Sequence, residues 1–218
     1  MPAPEARSLV RGPAGAIEVA AGGAQAPRLA AVIAHPHPLF GGTMDNKVVT
    51  TLARAFGDAG AATFRFNFRG VGATEGVHDE GRGEADDMVL VAEHAREAHP
   101  GLPIALAGFS FGGAVAVRAS ARVDFAQLVL AAPGFRRITA TGLGAPPDPH
   151  DPALGAPGRH TTANTVIIHG DRDDTVPLSD SLAWAELRDV PVVVIPGGEH
   201  FFHRKLHILR EIVVRWVR

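Results

Sequence analysis

Four apolar residues, Ile104-Ala105-Leu106-Ala107, run straight into Gly108-Phe109-Ser110-Phe111-Gly112-Gly113, and the helix-forming stretch Ala114-Val115-Ala116-Val117-Arg118-Ala119 follows at once. No other segment limits the fold so sharply. A strand has to stop, reverse within a few residues and become a helix, and glycines on both sides of Ser110 permit a turn that tight. Such a turn lifts the Ser110 side chain above the end of the strand, which is the geometry of a nucleophile elbow. The pentapeptide alone has little weight in a chain with 25 glycines. The strand before it and the helix after it are the context the motif requires. A serine hydroxyl is a poor nucleophile until a base takes its proton, so the reading also demands a histidine, a carboxylate and two oxyanion donors.

The rest of the chain repeats the strand-then-helix pattern. Leu29–Ala34, Ala62–Phe66, Ile104–Ala107, Leu128–Ala131, Thr165–Ile168 and Val192–Ile195 read as strands. They are apolar almost throughout, as in a parallel sheet covered on both faces. Helices are expected over Asp45–Asp58, Gly83–Ala98, Phe111–Ala121, Ser179–Leu187 and Phe201–Val217. The last of these lines up Leu206, Leu209, Ile212, Val213, Trp216 and Val217 on one face. This alternation predicts an α/β fold with a mostly parallel central sheet, helices on both faces and no separate cap domain. The 218 residues are read as a single domain. Residues 1–28 form an N-terminal hairpin region, with Ser8–Ala20 folded back at Gly12-Pro13 as an antiparallel edge. Residues 139–164 are too rich in Pro and Gly for regular structure and are read as a long loop near the site.

Composition narrows the chemistry. There is no cysteine, so a disulfide framework, a thiolate metal site and a cysteine nucleophile are all excluded. A formal charge of −2 gives no field to draw in nucleic acid or an anionic membrane. No stretch approaches the ~20 apolar residues of a membrane span, and the N-terminus shows no signal-peptide pattern. The expected location is cytoplasmic, and the weight of Ala, Gly, Pro and Arg points to a GC-rich bacterial genome.

Ligands of open α/β sheets bind beyond the carboxyl ends of the strands, so the polar residues just after strands are the candidates. His200 follows Val192–Ile195 in the turn Pro196-Gly197-Gly198-Glu199 and is the expected base. His203 and His207, read as lying in the same helix, lack a carboxylate at zincin spacing and are assigned structural or surface roles. Asp171, Asp173 and Asp174 follow Thr165–Ile168. Asp173 is the preferred acid because it stands before the Val-Pro that restarts the chain, with Asp171 as runner-up. The order Ser, Asp, His is the order used by nucleophile-elbow enzymes. Phe111 supplies one oxyanion N–H. The second comes from the loop His35-Pro36-His37-Pro38-Leu39-Phe40, whose prolines cannot donate; Leu39 is preferred, with His37 and Phe40 as alternatives. His35 and His37 are expected to tie this loop down by hydrogen bonds. Phe40, Met44 and Phe109, with Leu39 and Phe111, are the expected apolar walls of a substrate pocket.

GFSFGG, HGDRDDTVP, HPHPLFGGTMDNK and FNFRGVGATEG together resemble the α/β-hydrolase superfamily, most closely small bacterial serine hydrolases distantly related to dienelactone hydrolases. The resemblance runs from about Leu29 to the end of the chain. It implies Ser110 as nucleophile, Asp173 as acid, His200 as base, and the amides of Leu39 and Phe111 as oxyanion donors. It departs from dienelactone hydrolases in having no cysteine nucleophile. Thr74 stands where many superfamily members carry serine, and it and Arg69 are read as holding their loop in place. The expected activity is cleavage of a carboxylic ester or thioester of a small, largely apolar acyl group through an acyl-enzyme, with no metal or organic cofactor. Peptidase or amidase chemistry on the same triad is the alternative within the fold, and a non-catalytic ligand-binding protein the alternative outside catalysis. The expected partner is a small-molecule ester; the sequence is compatible with a homodimer.

Overall fold

The computed structural model describes residues 3–137 and 159–217. Eight strands form one sheet: β1 (Ala3–Gly12), β2 (Gly15–Gly23), β3 (Leu29–Ala34), β4 (Ala61–Phe66), β5 (Ile104–Phe109), β6 (Gln127–Ala131), β7 (Thr165–Gly170) and β8 (Val192–Ile195). Their order across the sheet is β1-β2-β4-β3-β5-β6-β7-β8. β1 and β2 form an antiparallel hairpin that adds to β4 antiparallel, and every pairing from β4 through β8 is parallel. This is the α/β-hydrolase architecture, and no cap domain interrupts it among the described residues.

Among the described residues, five helices cover the sheet: α1 (Lys47–Asp58), α2 (Arg82–Ala98), α3 (Phe111–Ser120), α4 (Leu178–Glu186) and α5 (Leu206–Val217). Side chains alternate along a strand, so β3 sends Ala30, Val32 and Ala34 into one core and Leu29, Ala31 and Ile33 into the other. The first core includes Met88 and Val91 of α2, Val115 of α3 and Trp184 of α4. The second includes Leu52 and Phe56 of α1 and Leu209, Val213 and Val217 of α5. Burial on both faces is why these strands carry no polar alternation.

Two helix starts differ from the sequence reading by more than one residue. α1 begins at Lys47, because Asn46 caps it by accepting the Val48 N–H at 2.8 Å. Asp45 lies outside the helix and pairs with Arg7 and Arg65. α5 begins at Leu206 rather than Phe201. Phe202 and Arg204 have φ of +53° and +59°, which no right-handed helix can contain. His203 is therefore in the preceding turn, facing Glu199 at 3.3 Å, and His207 is exposed near the start of α5. Most of the expected 139–164 loop lies outside the described residues.

Candidate active site

The elbow depends on close backbone contact. A Cβ at Gly108 would sit 2.1 Å from the Gly112 carbonyl oxygen, and one at Gly112 would sit 2.4 Å from that of His35. Strand end, helix start and the loop after β3 thus meet with no room for a methyl group. Ser110 itself has φ +56° and ψ −122°, a conformation that L-residues rarely hold unless their surroundings fix it. Its carbonyl accepts N–H bonds from Gly113 (2.9 Å), Ala114 (3.3 Å) and Gly134 (2.8 Å), and its own N–H donates to Ala131 (2.9 Å).

His200 Nε2 lies 3.0 Å from Ser110 Oγ, and His200 Nδ1 lies 2.7 Å from Asp173 Oδ2. The imidazole packs against the Phe109 ring at 4.9 Å and the Phe201 ring at 5.1 Å. The Asp173 carboxylate is fully buried. Its Oδ1 accepts from the N–H groups of Thr175 (2.9 Å) and Val176 (2.7 Å). Burial opposes its ionisation, but bonds from His169, His200 and the Val176 N–H outweigh that and hold the carboxyl far below the usual range. Asp171 is exposed and accepts the Gly197 N–H at 2.5 Å; Asp174 is exposed beside Thr175. Of the three carboxylates only Asp173 is bonded to His200.

The oxyanion side is less simple than expected. Phe111 is the first residue of α3, where an N–H has no intrahelical acceptor and the helix dipole favours negative charge. The Leu39 N–H, by contrast, donates to His37 Nδ1 at 3.3 Å and heads a short 3-10 turn, Pro38–Phe40. His37 also lies against the rings of Phe40, His78 and Phe111. His35 ties down the loop as expected: Nε2 accepts the Phe68 N–H at 2.9 Å, so Nδ1 carries the hydrogen donated to the Pro36 carbonyl at 2.6 Å. The Thr74 hydroxyl accepts the Glu18 N–H and donates to the Asn67 carbonyl, both at 2.9 Å. Arg69 grips Asp87 with two bonds and the Gly83 carbonyl with a third. Both therefore pin the loop that faces His35.

Three of the expected pocket walls need correction, Phe111 among them: its ring is fully buried against those of His37, Phe68 and His78. Met44 is fully buried, with its N–H on Asn67 and its carbonyl on Arg65, and offers no surface to a ligand. Phe109 is also fully buried, because its ring supports His200 from behind. Leu39 and Phe40 are 69% and 71% exposed and form an open apolar rim. A cavity of about 790 Å³ between the hairpin and α1, lined in part by Glu5, Arg54 and Arg65, includes no residue of the triad. Sequence reasoning missed His169, which lies in the apolar run of β7 and contacts the same Asp173 oxygen as His200, at 3.2 Å. The one available signal was its position four residues before the acid.

Burial pushes the pKa of His35 down to about 4. Burial, with Arg188 and Arg159 nearby, does the same to His160, also to about 4. Both rings are neutral in the fold, whereas an unfolded histidine protonates near pH 6.5. The stability linked to them is complete above pH 6.5 and is lost as pH falls from there toward 4, by up to about 3 kcal/mol each. Urea midpoints are expected to decline steadily between pH 7 and 4.5; a flat profile over that window would contradict the buried neutral rings.

The model of the family described as serine aminopeptidase, S33, matches residues 25–148. An α/β serine hydrolase homologue from Coxiella burnetii is 37% identical, with 96% of each chain covered and a TM-score of 0.79. A Xanthomonas campestris protein, described as an α/β serine hydrolase without a lid, is 34% identical over 98% of this chain and 94% of its own, with a TM-score of 0.83. A dienelactone hydrolase from Anabaena variabilis shares the fold at 16% identity, with 98% and 96% of the chains covered and a TM-score of 0.75.

Proposed function

The chain belongs to the serine aminopeptidase, S33, family of α/β-hydrolases, and from that premise we propose that it hydrolyses carboxylic esters or thioesters of small, largely apolar acyl groups. The observation that carries this reading is the unbroken line of contacts from Ser110 Oγ through His200 to Asp173, at 3.0 and 2.7 Å. Ser110 Oγ attacks the acyl carbon while His200 Nε2 takes its proton. Asp173 orients the ring and stabilises the imidazolium without taking the proton itself. The Phe111 N–H meets the developing oxyanion. The Leu39 N–H becomes the second donor when His37 Nδ1 gives it up; each such donor contributes about 3 to 4 kcal/mol to the transition state. His200 then protonates the departing alcohol or thiol, and activates the water that releases the acid. The exposed Leu39 and Phe40 side chains favour an apolar acyl group.

The family's description favours a second reading, cleavage of an aminoacyl amide. That substrate needs a carboxylate to receive its ammonium group. Asp173 is committed to two histidines, Glu84 is buried and accepts the N–H groups of Asp79 and Gly81, and Glu199 faces His203. The ester reading therefore ranks first.

A fluorophosphonate probe separates these readings from a non-catalytic binding role. One adduct is expected, on Ser110 by peptide mapping, and none in His200→Ala. The labelled activity should turn over p-nitrophenyl butyrate and leave aminoacyl p-nitroanilides intact. Folded protein that takes no label would sink the hydrolase assignment; turnover of the anilides alone would favour the amide.

A further inference from the structure

Two histidines hold Asp173, and only one of them reaches Ser110. His169, in β7, is fully buried, with Nε2 at 3.2 Å from Asp173 Oδ2 and 3.1 Å from the Val176 carbonyl oxygen. Both neighbours are acceptors, so the ring hydrogen resides on Nε2 and is shared between them. Nδ1 lies 2.8 Å from the hydroxyl of Ser181, itself fully buried on α4. The chain builds this arrangement locally. β7 ends at Gly170, where a Cβ would meet the Gly198 carbonyl oxygen at 2.1 Å, and the loop that follows brings residue 173 back over residue 169. Any buried imidazole needs partners for its ring nitrogens. What sets His169 apart is that one of them meets the very oxygen that receives His200.

We propose that His169 is a positioning residue for the acid: its Nε2–H donates to Asp173 Oδ2, fixes the plane of the carboxylate toward His200 Nδ1, and limits how strongly that carboxylate draws a proton onto His200. Ser181, by donating to Nδ1, keeps the hydrogen of His169 on Nε2. With Thr175 and Val176 on Oδ1, the carboxylate then has four N–H donors. The assignment rests on the hydrolase reading above for its purpose, while its physical content can be measured without turnover. Among the described residues, the ionisable side chains facing Asp173 are His169 from β7 and His200 from the loop after β8. Of the other charges near these elements, Arg172 and Asp174 in the same loop are exposed to solvent, Asp180 pairs with Arg136 at 2.5 Å, Asp171 accepts the Gly197 N–H, and Glu199 faces His203.

The test follows the ring titration of His200 in the full chain by NMR with ¹⁵N-labelled histidine, the signal being assigned by its loss in His200→Gln. His169→Leu keeps most of the buried volume and removes the donor. Its charge less dispersed, the carboxylate should raise the His200 midpoint by about one pH unit. His169→Gln carries an amide N–H close to the Nε2 position and should keep the wild-type midpoint. In parallel, kcat/KM for p-nitrophenyl butyrate should fall about 10- to 100-fold in the Leu variant, through kcat rather than KM, and recover in the Gln variant. An unchanged His200 midpoint in His169→Leu, or a Gln variant shifted as far as the Leu variant, would overturn the proposal. Should His169→Leu fail to fold, Ser181→Ala takes its place. Release of the Nδ1 anchor should move the midpoint in the same direction, and no movement refutes the role. A wild-type chain inert toward the ester would count against the hydrolase reading, and the NMR comparison would still decide the role of His169.

Discussion

Replacing Ser110 with alanine is expected to lower ester turnover by about 10⁴- to 10⁶-fold while leaving the fold intact. The side chain contributes one hydroxyl, and its neighbour is His200 Nε2 at 3.0 Å. The bonds that shape the elbow belong to the backbone of residue 110, three to its carbonyl and one from its N–H, and alanine retains all four. The cramped glycines around it are untouched as well. Melting temperature and far-UV circular dichroism should match the wild type, and kcat for p-nitrophenyl butyrate should approach background. Substantial turnover by the folded variant would place the nucleophile elsewhere.

Asp173→Asn should lower kcat by about 10⁴-fold and, unlike the serine variant, should also reduce stability. Among the described residues, the Asp173 carboxylate meets N–H donors on both oxygens: His169 and His200 on Oδ2, Thr175 and Val176 on Oδ1. An asparagine amide replaces one acceptor oxygen by NH₂. Turned one way, the NH₂ faces the two backbone N–H groups; turned the other, it faces the two imidazoles. Either orientation sets donor against donor in a buried place, or drives His200 into the tautomer that cannot take the serine proton. Asp171→Asn is the control, because among the described residues that exposed side chain accepts a bond from the Gly197 N–H alone and does not reach His200, and it should retain turnover within about 2-fold. Equal losses at 171 and 173 would mean that the acid has been misassigned.

The parallel sheet was readable from the sequence because burial on both faces turns the inner strands into short apolar runs between polar segments, and the edge strand β8, though only partly buried, is apolar throughout. β3 and β8 begin and end where those runs do. The start of α5 was not readable. Nothing in the letters of Phe202 or Arg204 announces a positive φ, and the apolar spacing carries on through both. Ser110, Asp173 and His200 stood out because each follows a strand in a glycine- or aspartate-rich turn. His169 did not, since a histidine inside an apolar run looks like any other core residue until the loop after it is folded back. Met44, Phe109 and Phe111, expected as pocket walls and found fully buried, show the opposite error. Apolar residues beside a site are legible, but whether they face a substrate or the protein depends on packing that the sequence does not state.

The reacting groups and the apolar rim are held very differently. Ser110 and Asp173 are fixed by hydrogen bonds to backbone groups of the sheet and its loops, and His35 ties down the loop beside them. Leu39, Phe40 and Val77 are 69%, 71% and 78% exposed; Phe40 touches His37, and Val77 precedes His78, whose ring lies 4.9 Å from that of His37. Side chains this exposed bury little surface on folding, so substitution at each of the three positions should alter stability by no more than about 0.5 kcal/mol. A combinatorial library at those three codons could therefore retune acyl preference on an unchanged scaffold, which makes the rim an engineering handle separate from the chemistry it borders.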